Sequence, residues 1–158
     1  LAAGVAYIFD IAMPTDLALG METGWNLICL PGAPVFADSA LGQPDTPRED
    51  SVWRWDQQAY LPVTEVEPYT GYWFFSAHDG LQFFTILPAF ARDLPLAVGW
   101  NVIGVPRSVR VDSLLDPGTD VWRFRNLRYE QTDWLDPGEG YWLFRDEAGI
   151  LDLTEDGE

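Results

Sequence analysis

Lysine is absent. All nine basic residues are Arg, set against 25 Asp and Glu, for a net charge of −16. Without a Lys amine there is no Schiff-base chemistry and no side-chain amine nucleophile. A chain this acidic repels phosphate backbones and anionic lipid surfaces, which excludes nucleic acid as a partner and disfavours membrane binding. No apolar run approaches the roughly 20 residues that span a bilayer, so membrane insertion is not expected. Cysteine is limited to Cys29, so no intramolecular disulfide can form. Its apolar neighbours Leu27, Ile28 and Leu30 predict a buried, inert thiol. His78 is the one histidine, and one His with one Cys does not make a usual zinc site. Neither a P-loop nor a dinucleotide-binding fingerprint is present.

Bulky apolar side chains are abundant. The 158 residues include 8 Trp, 6 Tyr and 9 Phe, and 47 % of the chain is hydrophobic. That length suits one domain or two small halves sharing a core. Leu1 at the start predicts a mature chain or an excised fragment. The apolar stretch Leu1–Phe9 lacks the basic residues of an intact signal peptide.

The chain repeats itself. Gly24-Trp25-Asn26-Leu27-Ile28-Cys29-Leu30-Pro31 returns 75 residues later as Gly99-Trp100-Asn101-Val102-Ile103-Gly104-Val105-Pro106. Val52-Trp53-Arg54-Trp55 returns after 69 residues as Val121-Trp122-Arg123-Phe124. Pro68-Tyr69-Thr70-Gly71-Tyr72-Trp73 returns as Pro137-Gly138-Glu139-Gly140-Tyr141-Trp142. The shrinking offset places a longer surface loop around residues 43–51 of the first copy. This divides the chain into an N-terminal apolar strand segment (1–16), copy 1 (17–87) and copy 2 (88–158), one compact domain overall. A third strand of the repeat begins at Ile150-Leu151-Asp152-Leu153.

Short β-branched and aromatic blocks punctuated by Gly, Pro and Asp predict an all-β fold. The expected architecture is two pseudo-equivalent β units around a shared aromatic core, barrel- or sandwich-like. Asp79-Gly80 predicts a hairpin. Asp116-Pro117-Gly118 and Asp136-Pro137-Gly138 predict turns. One helical turn is expected in each copy, at residues 38–41 and 112–115, capped by Asp or Ser. Alternation in Val52-Trp53-Arg54-Trp55 puts both Trp on one face, expected to point inward with Arg54 outward. Tyr72 and Phe74 oppose Trp73 and Phe75, which predicts a central strand covered on both sides. The paired Trp25 and Trp100, Trp53 and Trp122, and Trp73 and Trp142 are all expected to be buried. Asn26 and Asn101 are expected to fix the turn feeding each strand rather than to touch a ligand.

The pattern Gly-Trp-Asn-apolar-Ile, then a Trp strand, then Pro-x-x-Gly-Tyr-Trp, resembles a repeat of secreted and surface-anchored bacterial and archaeal multidomain proteins. The resemblance runs from about Leu17 to Leu153 and includes no catalytic motif. It implies an accessory, non-catalytic role at the cell surface or outside the cell.

Candidate chemistry is sparse. No nucleophile-elbow pattern surrounds Ser76 or Ser39, so His78 is expected to be an exposed turn residue. Glu65 and Glu67 share a strand face, as a pair of acids in a hydrolase would, but solvated loop charge is the expected reading. Asp116 with Asp120, and Asp133 with Asp136 and Glu139, are oxygen-rich clusters that could take Ca²⁺; no other cofactor is implied. Turn chemistry explains the same residues. Trp134 stands outside the repeat framework and is the candidate for stacking on a sugar. The functional expectation is a non-catalytic extracellular structural, adhesion or assembly module. Its partners would be other copies of itself, joined by strand addition, or neighbouring modules. A carbohydrate-binding module is the alternative, and an acidic hydrolase the weakest reading.

Overall fold

The computed structural model describes residues 13–34, 52–63, 66–89 and 93–154. The expected strand at Leu1–Phe9, the helical turn at 38–41, the loop at 43–51 and Glu65 lie outside these residues. Every strand pair is antiparallel.

The first half contains β1 (Thr15–Met21), β2 (Gly24–Cys29), β3 (Gly32–Pro34), β4 (Val52–Trp55), β5 (Tyr60–Pro62), β6 (Gly71–Ser76) and β7 (Gly80–Pro88). The second contains β8 (Asp93–Leu96), β9 (Gly99–Ile103), β10 (Val109–Arg110), α1 (Val111–Leu114), β11 (Val121–Arg125), β12 (Arg128–Gln131), β13 (Trp134–Leu135), β14 (Tyr141–Arg145) and β15 (Gly149–Asp152). Each half builds a four-stranded sheet in the same order: β2-β6-β4-β5 in one, β9-β14-β11-β12 in the other. The register matches as well. Trp53 stands opposite Trp73, and Trp122 opposite Trp142. The sheets are open; the described residues are all-β apart from one helical turn, and no barrel closes among them.

A second layer covers one face of each four-stranded sheet. In the first half it is β1-β7-β3, and Met21, Phe84 and Ile86 pack onto Ile28, Val52, Tyr72 and Phe74. In the second half it is the β8–β15 pair, where Leu94, Leu96 and Leu151 meet Ile103, Val121, Tyr141 and Leu143. The strand expected to open a third repeat is therefore taken up at home. Ile150 and Leu151 lie in β15, which pairs with β8 as β7 pairs with β1.

Contacts between the halves are reciprocal. Ile28 bridges to Glu139, and Ile103 bridges to Thr70. Cys29 N–H donates to the Gly138 carbonyl at 3.1 Å, and Gly104 N–H to the Tyr69 carbonyl at 3.0 Å. Gly71 lies against Val102, and Gly140 against Leu27, with no room for a Cβ at either glycine. Position i touching j′ while i′ touches j is the mark of a two-fold relation.

Three expectations are corrected. Asp79-Gly80 does not make a hairpin, because β6 and β7 belong to different sheets; the turn carries the chain from one layer to the other. The Asp79 carboxylate accepts the Thr23 N–H at 2.5 Å, which lowers its pKa. The helical turn is capped at Arg110, with no side-chain cap bond, and Asp112 instead pairs with Arg110 at 2.9 Å. The Trp faces are not the deep core. Val52 and Val121, on the Arg side of their strands, are the buried residues; Trp53, Trp55 and Trp122 are only half-buried. The apolar layers β1-β7-β3 and β8–β15 already occupy that side, so the tryptophans are left to the opposite face.

Candidate functional site

Side-chain alternation gathers the aromatics on the face by which the halves meet. Trp25 on β2, Trp53 and Trp55 on β4, Tyr60 on β5, and Trp73 and Phe75 on β6 share one side of the first sheet. Trp100, Trp122, Phe124, Tyr129, Trp142 and Phe144 share the corresponding side of the second. The sheets touch there through edge-to-face rings. Trp73 meets Phe124 at 4.9 Å and 78°, and Trp55 meets Trp142 at 5.9 Å and 68°. Since Trp55 corresponds to Phe124 and Trp73 to Trp142, this is again a reciprocal pair.

Burial falls away from these contacts. Near the closed end Leu27 and Cys29 are covered. Toward the other end the rings open to solvent: Trp25 is 41 % exposed, Phe75 39 %, Trp100 42 % and Phe144 48 %. The expectation that Trp25 and Trp100 are buried is therefore wrong. Trp53, Trp122 and Trp73 are half-buried, and Trp142 alone of the six paired tryptophans is buried. The Trp73 face of β6, expected to be covered, is left partly open by the same splaying.

Two open aromatic cavities result. One, of about 330 Å³, is walled by Trp25, Trp53, Tyr60, Trp73 and Phe124. The other, of about 390 Å³, is walled by Trp55, Tyr60, Trp100, Trp122, Tyr129 and Trp142. The two-fold relation exchanges them: Trp25 for Trp100, Trp53 for Trp122, Trp73 for Trp142 and Phe124 for Trp55. Tyr60 borders both. The indole Nε1 atoms of Trp73 and Trp55, one from each set of walls, are buried without a hydrogen-bond partner. Burial, with Tyr60 adding to it, raises the Tyr129 pKa, so its hydroxyl stays neutral at physiological pH.

The two asparagines occupy identical settings. Asn101 Oδ1 accepts the Ala97 N–H at 2.9 Å, and its Nδ2 donates to the carbonyls of Ala97 at 2.8 Å and Gly99 at 3.0 Å. Asn26 makes the same three bonds, to Glu22 N–H, Glu22 carbonyl and Gly24 carbonyl. Each amide closes the turn before its Gly-Trp strand and leaves the tryptophan pointing at a cavity.

The candidate metal ligands are directed to separate partners. Asp116 pairs with Arg145 at 3.0 Å, Asp120 accepts the Gln131 amide, Asp136 accepts the Ser108 hydroxyl at 2.7 Å, and Glu139 pairs with Arg125. Asp133 receives the Val111 N–H on its carbonyl. Among the described residues, no group of three or more His, Cys, Asp or Glu is placed to hold a metal ion. Ser76 Oγ donates to the His78 carbonyl at 2.7 Å rather than to its ring. Glu67 gives its N–H to Tyr72 Oη, just as Asp136 gives its own to Tyr141 Oη, both at 2.7 Å. Trp134 is 51 % exposed on β13, across from Arg110 and apart from both cavities. No helix among the described residues is long and apolar enough to cross a membrane.

Comparison with protein-family models, with curated proteins and with solved structures finds no match. The aromatic cavities are the candidate functional site. Sequence reasoning passed over them because it assigned every repeated Trp to the core. Their signal was visible: Trp-x-Trp alternation in a strand whose other face was also apolar at Val52.

Proposed function

We propose that the chain is a non-catalytic binding module of a secreted or cell-surface protein, serving adhesion or assembly, and that the paired aromatic cavities are its binding surface. One observation carries this reading. The same set of tryptophans is turned toward solvent in both halves, although closing the sheets together would bury them. Burying apolar surface stabilises by about 25 cal/mol per Å², so a face of open rings gains free energy when a partner covers it. Aromatic rings with few rotatable bonds are also the usual anchors of binding surfaces. The extracellular setting rests on the resemblance of the Gly-Trp-Asn and Gly-Tyr-Trp blocks. The partners of this reading are neighbouring modules, further copies of the chain, or a glycan.

Indole N–H signals in a ¹H–¹⁵N correlation spectrum test the proposal, with neutral oligosaccharides, apolar peptides and small organic probes as ligands. Sedimentation runs in parallel to detect self-association. Saturable shifts in the cavity tryptophans, or concentration-dependent association lost in Trp25→Ala with Trp100→Ala, are the expected results. Indoles indifferent to every ligand in a chain that stays monomeric would end the proposal.

A second reading has its own observation. Trp134 is an exposed ring beside Arg110, away from the cavities, and suits stacking on a pyranose. Loss of oligosaccharide binding in Trp134→Ala, with the cavity indoles unmoved, would favour it.

A further inference from the structure

The two cavities differ in their surroundings. The larger one continues, through Trp100 and Trp122, into a surface depression lined by Asp116, Asp120, Asp146 and Glu147, with Arg145 as its one cation among the described residues. Arg145 is already paired with Asp116 at 3.0 Å. The depression beside the smaller cavity has Glu22 and Glu139 with Arg125, and so has less excess negative charge. The arginines of β4 and β11 do not intrude on either aromatic face. Arg54, Arg123 and Arg125 alternate away from Trp53, Trp55, Trp122 and Phe124 along their strands.

The larger cavity is also the more enclosed by ring planes. Trp142 forms a buried wall at 68° to Trp55 and 85° to Trp100, and Trp55 lies at 57° to Tyr60. Rings set at steep angles enclose a volume with several π faces, and each face carries the negative lobe of the ring quadrupole. A cation within about 6 Å of a ring centroid is attracted to that lobe, most strongly by Trp. A strongly hydrated ion loses too much solvation to enter such a site. A methylated ammonium, whose charge is spread over an apolar shell, loses much less.

We propose that the cavity walled by Trp55, Tyr60, Trp100, Trp122, Tyr129 and Trp142 binds a quaternary or fully methylated ammonium group. The carboxylates of the adjoining depression draw the cation in. This deepens the binding-module reading and rests on it: it names the ligand class for one of the two cavities. The smaller cavity has five rings instead of six and a less acidic approach, so it serves as an internal comparison within the same chain.

Choline and tetramethylammonium are the probes, with 3,3-dimethylbutan-1-ol as the neutral isostere of choline. Binding is read from the indole N–H signals. The expected result is saturable shifts at Trp55, Trp100, Trp122 and Trp142 with both cations, and binding of the isostere about tenfold weaker or less. Trp100→Ala should weaken choline about tenfold. Trp25→Ala, the equivalent change in the other cavity, should leave choline binding within about twofold. Asp146→Asn with Glu147→Gln should weaken it about two- to threefold and flatten its dependence on salt. Equal binding of choline and its isostere would overturn the cation proposal and leave the binding-module reading standing. So would oligosaccharide-induced shifts of the same indoles with no response to either cation. Indoles that ignore the cations, the isostere and every ligand used to test the binding module would remove the cation proposal, and in a chain that stays monomeric they would remove both.

Discussion

Cys29 and Gly104 occupy the same position in the two halves, and they meet. A Cβ built on Gly104 overlaps the Sγ and Cβ of Cys29. Residues near a two-fold axis face their own counterparts, so the space there is shared and one side chain uses all of it. The thiol is fully buried, and its volume is accommodated by the absence of any side chain opposite.

Gly104→Ala should therefore destabilise by about 1–3 kcal/mol, the usual penalty of overpacking. Adding Cys29→Gly should recover much of the loss, and the exchange of both residues, Cys29→Gly with Gly104→Cys, should come closest to the parent. Denaturant midpoints for the parent, Gly104→Ala, Cys29→Gly and the variant carrying both changes form a double-mutant cycle, with the exchanged protein measured beside them. Additive effects, with no recovery, would contradict the shared-space account.

The matched amides carry a second prediction. Asn101→Leu strands the Ala97 N–H and two carbonyls that its side chain now satisfies. A cost of about 1–3 kcal/mol is expected, and a similar one for Asn26→Leu. Ligand-induced indole shifts should persist in both variants at temperatures where they remain folded. Unchanged melting with lost binding would make the amides a site.

The β11–β12 hairpin turns through Asn126 and Leu127, with φ of 51° and 58°. Both residues sit in the left-handed region that a two-residue turn of this hand requires, and Asn-Gly suits it best. Leu127 is largely exposed, so its side chain has little packing to lose. Leu127→Gly should stabilise by about 1 kcal/mol, raising the melting temperature by about 2–4 °C. A lower melting temperature would show that the leucine packs onto the Trp25 side of the interface instead.

Alkaline pH should loosen the fold. Burial pushes the Cys29 thiol from 9.0 up to about 12, and the Tyr141 hydroxyl from 10.0 up to about 12. Burial also raises Tyr72. The folded state holds these protons after the unfolded chain would release them. Stability is thus fully present below about pH 9 and falls as pH rises toward 12. Melting curves between neutral pH and pH 11 should show this decline, and Cys29→Ala should reduce its slope. The thiol should resist alkylation at pH 8 in the folded protein.

Local chemistry made much of the fold legible. The doubled Gly-Trp-Asn and Gly-Tyr-Trp blocks announced two equivalent β units, because short aromatic and β-branched runs between Gly, Pro and Asp have few other ways to fold. Asp116-Pro117-Gly118 and Asp136-Pro137-Gly138 form the expected turns, with Gly118 at φ 86° and Gly138 at φ 90°. Asp79-Gly80 misled because a turn motif specifies the local bend but not which sheet receives the next strand.

The sequence by itself determined which residues share a face: alternation separates Trp53 and Trp55 from Val52 and Arg54 whatever the strand packs against. Only the tertiary structure decided which face was the core. Both faces are apolar enough to be buried, and the choice fell to the nonlocal pairing of β7 with β1 and of β15 with β8, which supplies each sheet with an apolar cover. The tryptophans were left to the junction between the halves. There a two-fold arrangement closes tightly at Cys29 and Gly104, and the large rings hold the sheets apart beyond it. The cavities follow from that separation, which depends on ring volume summed across two sheets and so is written in no single segment of the chain.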